Sequence, residues 1–97
     1  MRLLVWKLAE FGAALECVWN CIRSDHPVDW TSVGDLVGKS PDEAEFVIMR
    51  AQPSHFRNSL GLLVLRDDAE MPSEVAAATF QTSLLQKHIE TLRSLLS

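Results

Sequence analysis

No apolar run in this sequence approaches the ~18–20 residues of a membrane-spanning helix, so no helical span is expected. No glycine-rich loop of the kind that cradles phosphate is present. Cysteine is scarce: Cys17 and Cys21 stand alone, four apart. Side chains at that spacing point the same way along a helix, which disfavours a bridge within it. A structural zinc site needs two further ligands, and His26, His55 and His88 are scattered singly, so neither a metal nor another cofactor is expected. Thiols in a core-forming chain point instead to a reducing cytoplasm. Basic residues are also few, 9 against 13 acidic ones, leaving a formal charge of −4 that opposes binding through a phosphate backbone. The opening MRLLVWKLAEFG carries Lys7 and Glu10 in its apolar stretch and lacks a small-x-small cleavage site, so it does not read as a signal peptide. Internal repeats and low-complexity tracts are missing too.

What is present suits one globular domain over residues 1–97: 47% apolar and 23% charged residues, enough to build a single core. Leu4, Leu8, Phe11, Leu15, Val18 and Ile22 recur at spacings of four and three, which predicts a helix over 3–23. Ala9, Ala13, Cys17 and Cys21 form a small-residue flank beside that seam, with Trp6 one turn earlier. Ser24–Pro27 interrupts the pattern. Asp29 is then suited to cap a short helix over 30–37, with Val33, Leu36 and Val37 inward and Gly38 ending it. Ser40-Pro41-Asp42-Glu43 reads as a capping box with proline at N1, and Ala44, Val47, Ile48 and Ala51 give the helix that follows its apolar face. The run Leu60–Leu65 fits either a buried strand or a helix. With no second strand in view to pair with it, helix is expected over 54–67, followed by an acidic loop at 67–72. Val75, Thr79, Thr82, Leu85, Ile89, Leu92 and Leu96 repeat at nearly 3.5 residues, widened by Phe80, Leu84, His88 and Leu95, and predict a long helix over 73–96. The expected fold is all-α: long N- and C-terminal helices bracket a short middle.

That middle bears a second pattern. In the window from Trp30, Val33, Gly34, Val37 and Gly38 occupy the apolar, small, apolar and glycine places of a close helix crossing, and Ala44 and Val47 fit the second helix. Residues 30–49 in this respect resemble helix-turn-helix and Myb-like tri-helical domains, with Lys39 departing where an apolar residue is usual. The resemblance implies a DNA-binding regulator, but the charge does not suit one. The start of a recognition helix would present Ser40, Pro41, Asp42, Glu45 and Phe46, with no arginine for guanine and no amide for adenine. Residues 29–51 hold five acids against two bases.

Catalytic patterns are weak. Ser24-Asp25-His26 and Ser54-His55 place nucleophile-like and base-like residues side by side, which is not the geometry of a dyad. Asp42/Glu43 is explained by capping and Asp67/Asp68 by a solvated loop. The expectation is therefore a non-enzymatic protein–protein interaction module. Its apolar residues exceed what one inward face per helix needs, and Trp6, Phe46 and Met49, with the acids Asp42 and Glu45, are the candidate contacts to a larger protein. Leu85, Ile89, Leu92 and Leu96, with Ala13 and Cys17, are the candidate dimerisation residues, so a homodimer is expected. In format (under a hundred residues, acidic, helical, aromatic-bearing) the chain resembles small bacterial antiactivators of LuxR-type quorum-sensing regulators. That resemblance implies a transcription-factor partner. A helix-turn-helix DNA-binding regulator and a structural subunit of a larger complex are the alternatives.

Overall fold

The all-α expectation fails at the first residues. In the computed structural model, which describes residues 1–77 and 82–97, the chain opens as a strand, β1 (Leu3–Lys7), and only then enters helix α1 (Leu8–Arg23). Helices α2 (Trp30–Val37) and α3 (Pro41–Arg50) follow. A 3-10 turn at Pro53–His55 leads into the short strand β2 (Phe56–Arg57), and a second at Asn58–Leu60 leads into β3 (Leu62–Arg66). Helices α4 (Ser73–Ala77) and α5 (Thr82–Leu96) complete the described chain. Thr79 and Phe80 of the long C-terminal pattern lie outside the described residues, as does the side chain of Thr82.

The three strands form one antiparallel sheet in the order β1-β3-β2. Leu3 faces Arg66, Val5 faces Val64 and Lys7 faces Leu62, while Phe56 and Arg57 of β2 face Leu63 and Leu62. The run Leu62–Leu65 thus does have a partner, some sixty residues away in sequence, and the helix expected over 54–67 is replaced by a hairpin. Gly61, at φ 67, supplies the left-handed residue that turns the chain into β3. Leu4 and Trp6 of β1 and Leu63 and Leu65 of β3 point to one side and are buried. The period there is two, and Leu3 and Val5 on the opposite side mask it by being apolar as well.

Helix α1 lays Phe11, Ala14, Leu15, Val18 and Ile22 into the core, so the seam is as expected from Phe11 onward. Phe11 meets Trp6 and Phe56 edge to face, at ring separations of 6.4 and 5.6 Å, which ties the helix to the inner face of the sheet. Helix α5 runs antiparallel along α1. Leu96 Cδ1 lies 3.7 Å from where a side chain on Gly12 would begin, Arg93 pairs with Glu16 at 2.8 Å, and Leu85 and Ile22 line one cleft. Ile89 and Leu92 are buried in this packing. Of the near-heptad seam, Ile89 and Leu92 are thus covered inside the subunit, and Leu85 and Leu96 are half-buried.

The middle of the chain folds as its local signals require. Asp29 caps α2, accepting from the Thr31 and Ser32 amides at 3.1 and 3.4 Å. The Ser32 hydroxyl donates to it at 2.8 Å, and these bonds to the ionised form hold its carboxyl below the usual value. Gly38 ends α2 at φ 72, and Ser40 caps α3 by accepting from the Glu43 amide at 3.1 Å. Gly34 is where the crossing is tightest: a Cβ there would lie 2.5 Å from the Lys39 carbonyl oxygen. Two short helices thus follow one another across a tight turn at residues 38–40. One detail differs, because Leu36, expected inward, is 58% exposed.

Candidate functional site

Trp6 is not a surface contact. It is 0% exposed, and its Nε1–H donates to Glu43 Oε2 at 2.9 Å, while the Lys39 ammonium lies 5.6 Å above its ring. Its site is the core, under the start of α3. Glu43 was expected to reach back and complete a capping box. Its carboxylate instead accepts the indole N–H hydrogen bond, and Arg2 approaches its other oxygen at 3.5 Å. A long-range bond has displaced a local one.

Asp42 and Glu45 are exposed, and Phe46 and Met49 are half-buried, all on α3. Asp42 and Phe46 share a cleft of about 320 Å³ with Arg2, Leu4, Ser40, Glu43 and Asp67. The Arg50 guanidinium stacks over the Phe46 ring at 4.2 Å, so little of that apolar surface is open. Of the dimerisation set, Ile89 and Leu92 are removed by burial, Leu85 and Leu96 are half-buried against α1 and its flank, and Ala13 is exposed. Cys17 is half-buried; burial, with Cys21 beside it, pushes its thiol up. Both cysteines are free.

Leu36 and Leu60 are exposed singly, whereas the apolar side chains that stand open side by side lie on the outer face of the sheet. Leu3 and Val5 are 53% and 47% exposed, and Leu62 and Val64 beside them are half-buried. Val5 and Val64 are directly opposed, Leu3 faces Arg66 and Lys7 faces Leu62, so these side chains form one contiguous patch. Around Leu3 and Val64 the surface dips into an open cleft of about 750 Å³, walled by Gln52, Ser54, His55 and Arg57 on one side and by Arg66, Asp68, Ala69 and Glu70 on the other.

The strand residues on this face that carry charge are all cationic: Lys7, Arg57 and Arg66. Arg66 is held in a bidentate pair with Asp68, both bonds 2.9 Å, which keeps that carboxyl below its usual range. Arg57 donates to the backbone oxygens of Ser54 and Phe56, and among the described residues no carboxylate pairs with Arg57 or Lys7. His55 accepts at Nδ1 from the Gln52 amide at 3.0 Å; burial, and then Arg57, press its pKa down. This imidazole is neutral with its proton on Nε2, and Ser54 next to it in sequence has no bond to it among the described residues. Chemically the cleft offers an apolar floor between Arg57 on one wall and Glu70 on the other, neither of them in an ion pair among the described residues.

The chain matches no protein-family model, no curated protein and no solved structure.

Among the described residues no group of three or more His, Cys, Asp or Glu side chains converges as a metal site would, and no helix is long and apolar enough to cross a membrane. His88, expected on the apolar flank of the last helix, is packed there: Nε2 bonds to the Ile48 carbonyl at 2.9 Å, and burial pushes its pKa down. The outer sheet face escaped the sequence reading because its residues lie at both ends of the chain's first two-thirds. The signal that would have found it is the pairing of Leu3-Leu4-Val5-Trp6 with Leu62–Leu65 as two apolar, valine-containing runs of equal length.

Proposed function

We propose that this chain is a non-enzymatic protein-binding module, a small regulator that docks on a larger protein through the outer face of its sheet. One observation carries the reading: Leu3, Val5, Leu62 and Val64 stand on the solvent side of a sheet whose inner side already closes the core. A sheet that meets water on one side normally alternates apolar in and polar out, so an apolar outer row marks a covered surface. The charges specify the occupant. Lys7 and Arg57, both beside Leu62 at one end of the face, suit a partner segment that brings apolar side chains with a carboxylate at that end, away from Glu70. A transcription factor is the partner class implied by the antiactivator format, and a reducing cytoplasm suits the two free thiols.

The α2–α3 geometry favours a second reading, binding to duplex DNA. Against it stand Asp42 and Glu45, exposed at the front of α3, where phosphates and base edges would approach.

Val64→Lys sets an ammonium on the floor of the cleft, and Arg57→Glu reverses the charge at its wall. Both variants are expected to fold with unchanged far-ultraviolet dichroism. In parallel captures from native lysate, a stoichiometric partner held by the parent chain is expected to be lost by both. A partner retained by both variants but lost by Asp42→Lys would move the contact to α3. Mobility shift of duplex DNA, declining steeply with added salt, would replace the proposal with the second reading.

A further inference from the structure

Strand β1 is an edge of the sheet, and part of its free side carries unpaired backbone groups. In an antiparallel ladder, alternate residues turn their N–H and C=O toward the partner strand. Asp67 N–H donates to the Arg2 carbonyl and Leu8 N–H to the Gly61 carbonyl, both at 2.9 Å, which fixes the phase. Arg2, Leu4, Trp6 and Leu8 address β3, and Leu3, Val5 and Lys7 address the open side. The Lys7 amide is already taken by Glu10 Oε1 at 2.9 Å, and no described residue bonds the backbone of Leu3 or Val5 on that side. The unpaired set is thus two residues, one on either side of Leu4.

We propose that two copies of this chain pair through β1 in an antiparallel register centred on Leu4, joining their sheets across a two-fold axis. In that register Leu3 of each copy opposes Val5 of the other, and every free N–H and C=O of the two residues is used once. Leu4 opposes its own counterpart, and Arg2 opposes Trp6. The charges agree. Arg2 lies on the same side of the strand as Trp6 and holds Glu43 loosely in its own chain, at 3.5 Å with 70% of its side chain exposed. Across the axis each guanidinium approaches the other copy's Glu43, whose carboxylate the buried Trp6 holds in place and whose side chain is 23% exposed. Leu3 and Val5 from both copies then form one uninterrupted apolar strip, continuous with the face proposed above for partner binding. An edge left bare with apolar side chains would otherwise be open to indiscriminate strand addition.

Amide exchange of the parent chain, measured across a hundredfold dilution series, tests the pairing together with sedimentation. The Leu3 and Val5 amides are expected to gain at least about tenfold protection as the dimer forms, with the Lys7 amide unaffected. Val5→Pro removes an N–H that points away from β3, a place where a strand tolerates proline, and is expected to leave a folded monomer. Val64→Lys is expected to abolish partner docking while leaving the dimer intact, so the two proposals fail separately. Exchange at Leu3 and Val5 that ignores concentration, or a folded Val5→Pro protein that still sediments as a dimer, overturns the pairing. Should Val5→Pro unfold, the exchange result on the parent chain decides alone.

Discussion

Trp6→Ala separates a core residue from a docking residue. The indole is fully buried, edge to face with Phe11 at 6.4 Å and bonded to Glu43 at 2.9 Å. Truncating a buried aromatic in a core costs about 3–5 kcal/mol through lost transfer energy and the cavity left behind. Glu43 then loses its donor, but Arg2 and solvent remain within its reach, so this adds at most about 1 kcal/mol. The total of about 3–6 kcal/mol is a large part of the ~5–15 kcal/mol that holds a typical domain folded. For a chain of this size it corresponds to a fall in Tm on the order of 20 °C. Urea titration followed by far-ultraviolet dichroism measures it, and Trp6→Phe, which keeps a ring on Phe11 but removes the N–H, is expected to fall between the two. A Trp6→Ala protein that loses less than about 1 kcal/mol yet no longer binds its partner would refute the burial of Trp6, since only an indole on the surface behaves that way.

Two further outcomes follow from packing and titration. Gly34→Ala drives a methyl to 2.5 Å from the Lys39 carbonyl and 3.1 Å from the Ser40 backbone, neither of which can swing away. It is expected to cost about 1–3 kcal/mol in the same urea assay, and a neutral result would refute the close α2–α3 crossing. His88 is held neutral by burial, against the opposing pull of the Ile48 carbonyl and Glu74, so its folded pKa lies below the ordinary 6.5. The unfolded chain therefore binds its proton first. Stability from this group is present above the ordinary pKa and is lost as pH falls through it toward the folded value. The urea midpoint of the parent chain is expected to drop more between about pH 8 and about pH 5 than that of His88→Gln, and equal drops would show that the imidazole is solvated.

The elements that the sequence places correctly are those whose causes are local. Helix α2 begins where Asp29 caps it and stops at Gly38, and α3 starts on Ser40-Pro41, each within a residue of expectation. Asp29 and Ser40 act on amides two or three residues away and so need no distant partner, whereas Glu43, the other half of the box, was drawn off by Trp6. The seam of α1 was legible from Phe11 onward for the same reason: its period is written in consecutive turns. Strand β1 was not, because Leu3-Leu4-Val5-Trp6 is apolar on both faces and its partner is β3, far along the chain. Once the two runs pair, a helical spacing through Leu4 and Leu8 becomes incidental.

The candidate site divides the same way. Excess apolar surface and negative charge were readable as composition, and both pointed toward a protein partner. Which residues carry the surplus depended on tertiary packing. Trp6 and the seam of Ile89 and Leu92 went inward, because Glu43 and α1 were there to receive them. Leu3 and Val5 stayed outside, because one side of a sheet was already full. By itself the sequence determined the caps, turns and helical faces, whose energies are decided within a few residues. Only the tertiary structure decided which apolar side chains remain open to a partner, because that depends on strand pairing between segments whose separation the local pattern does not record.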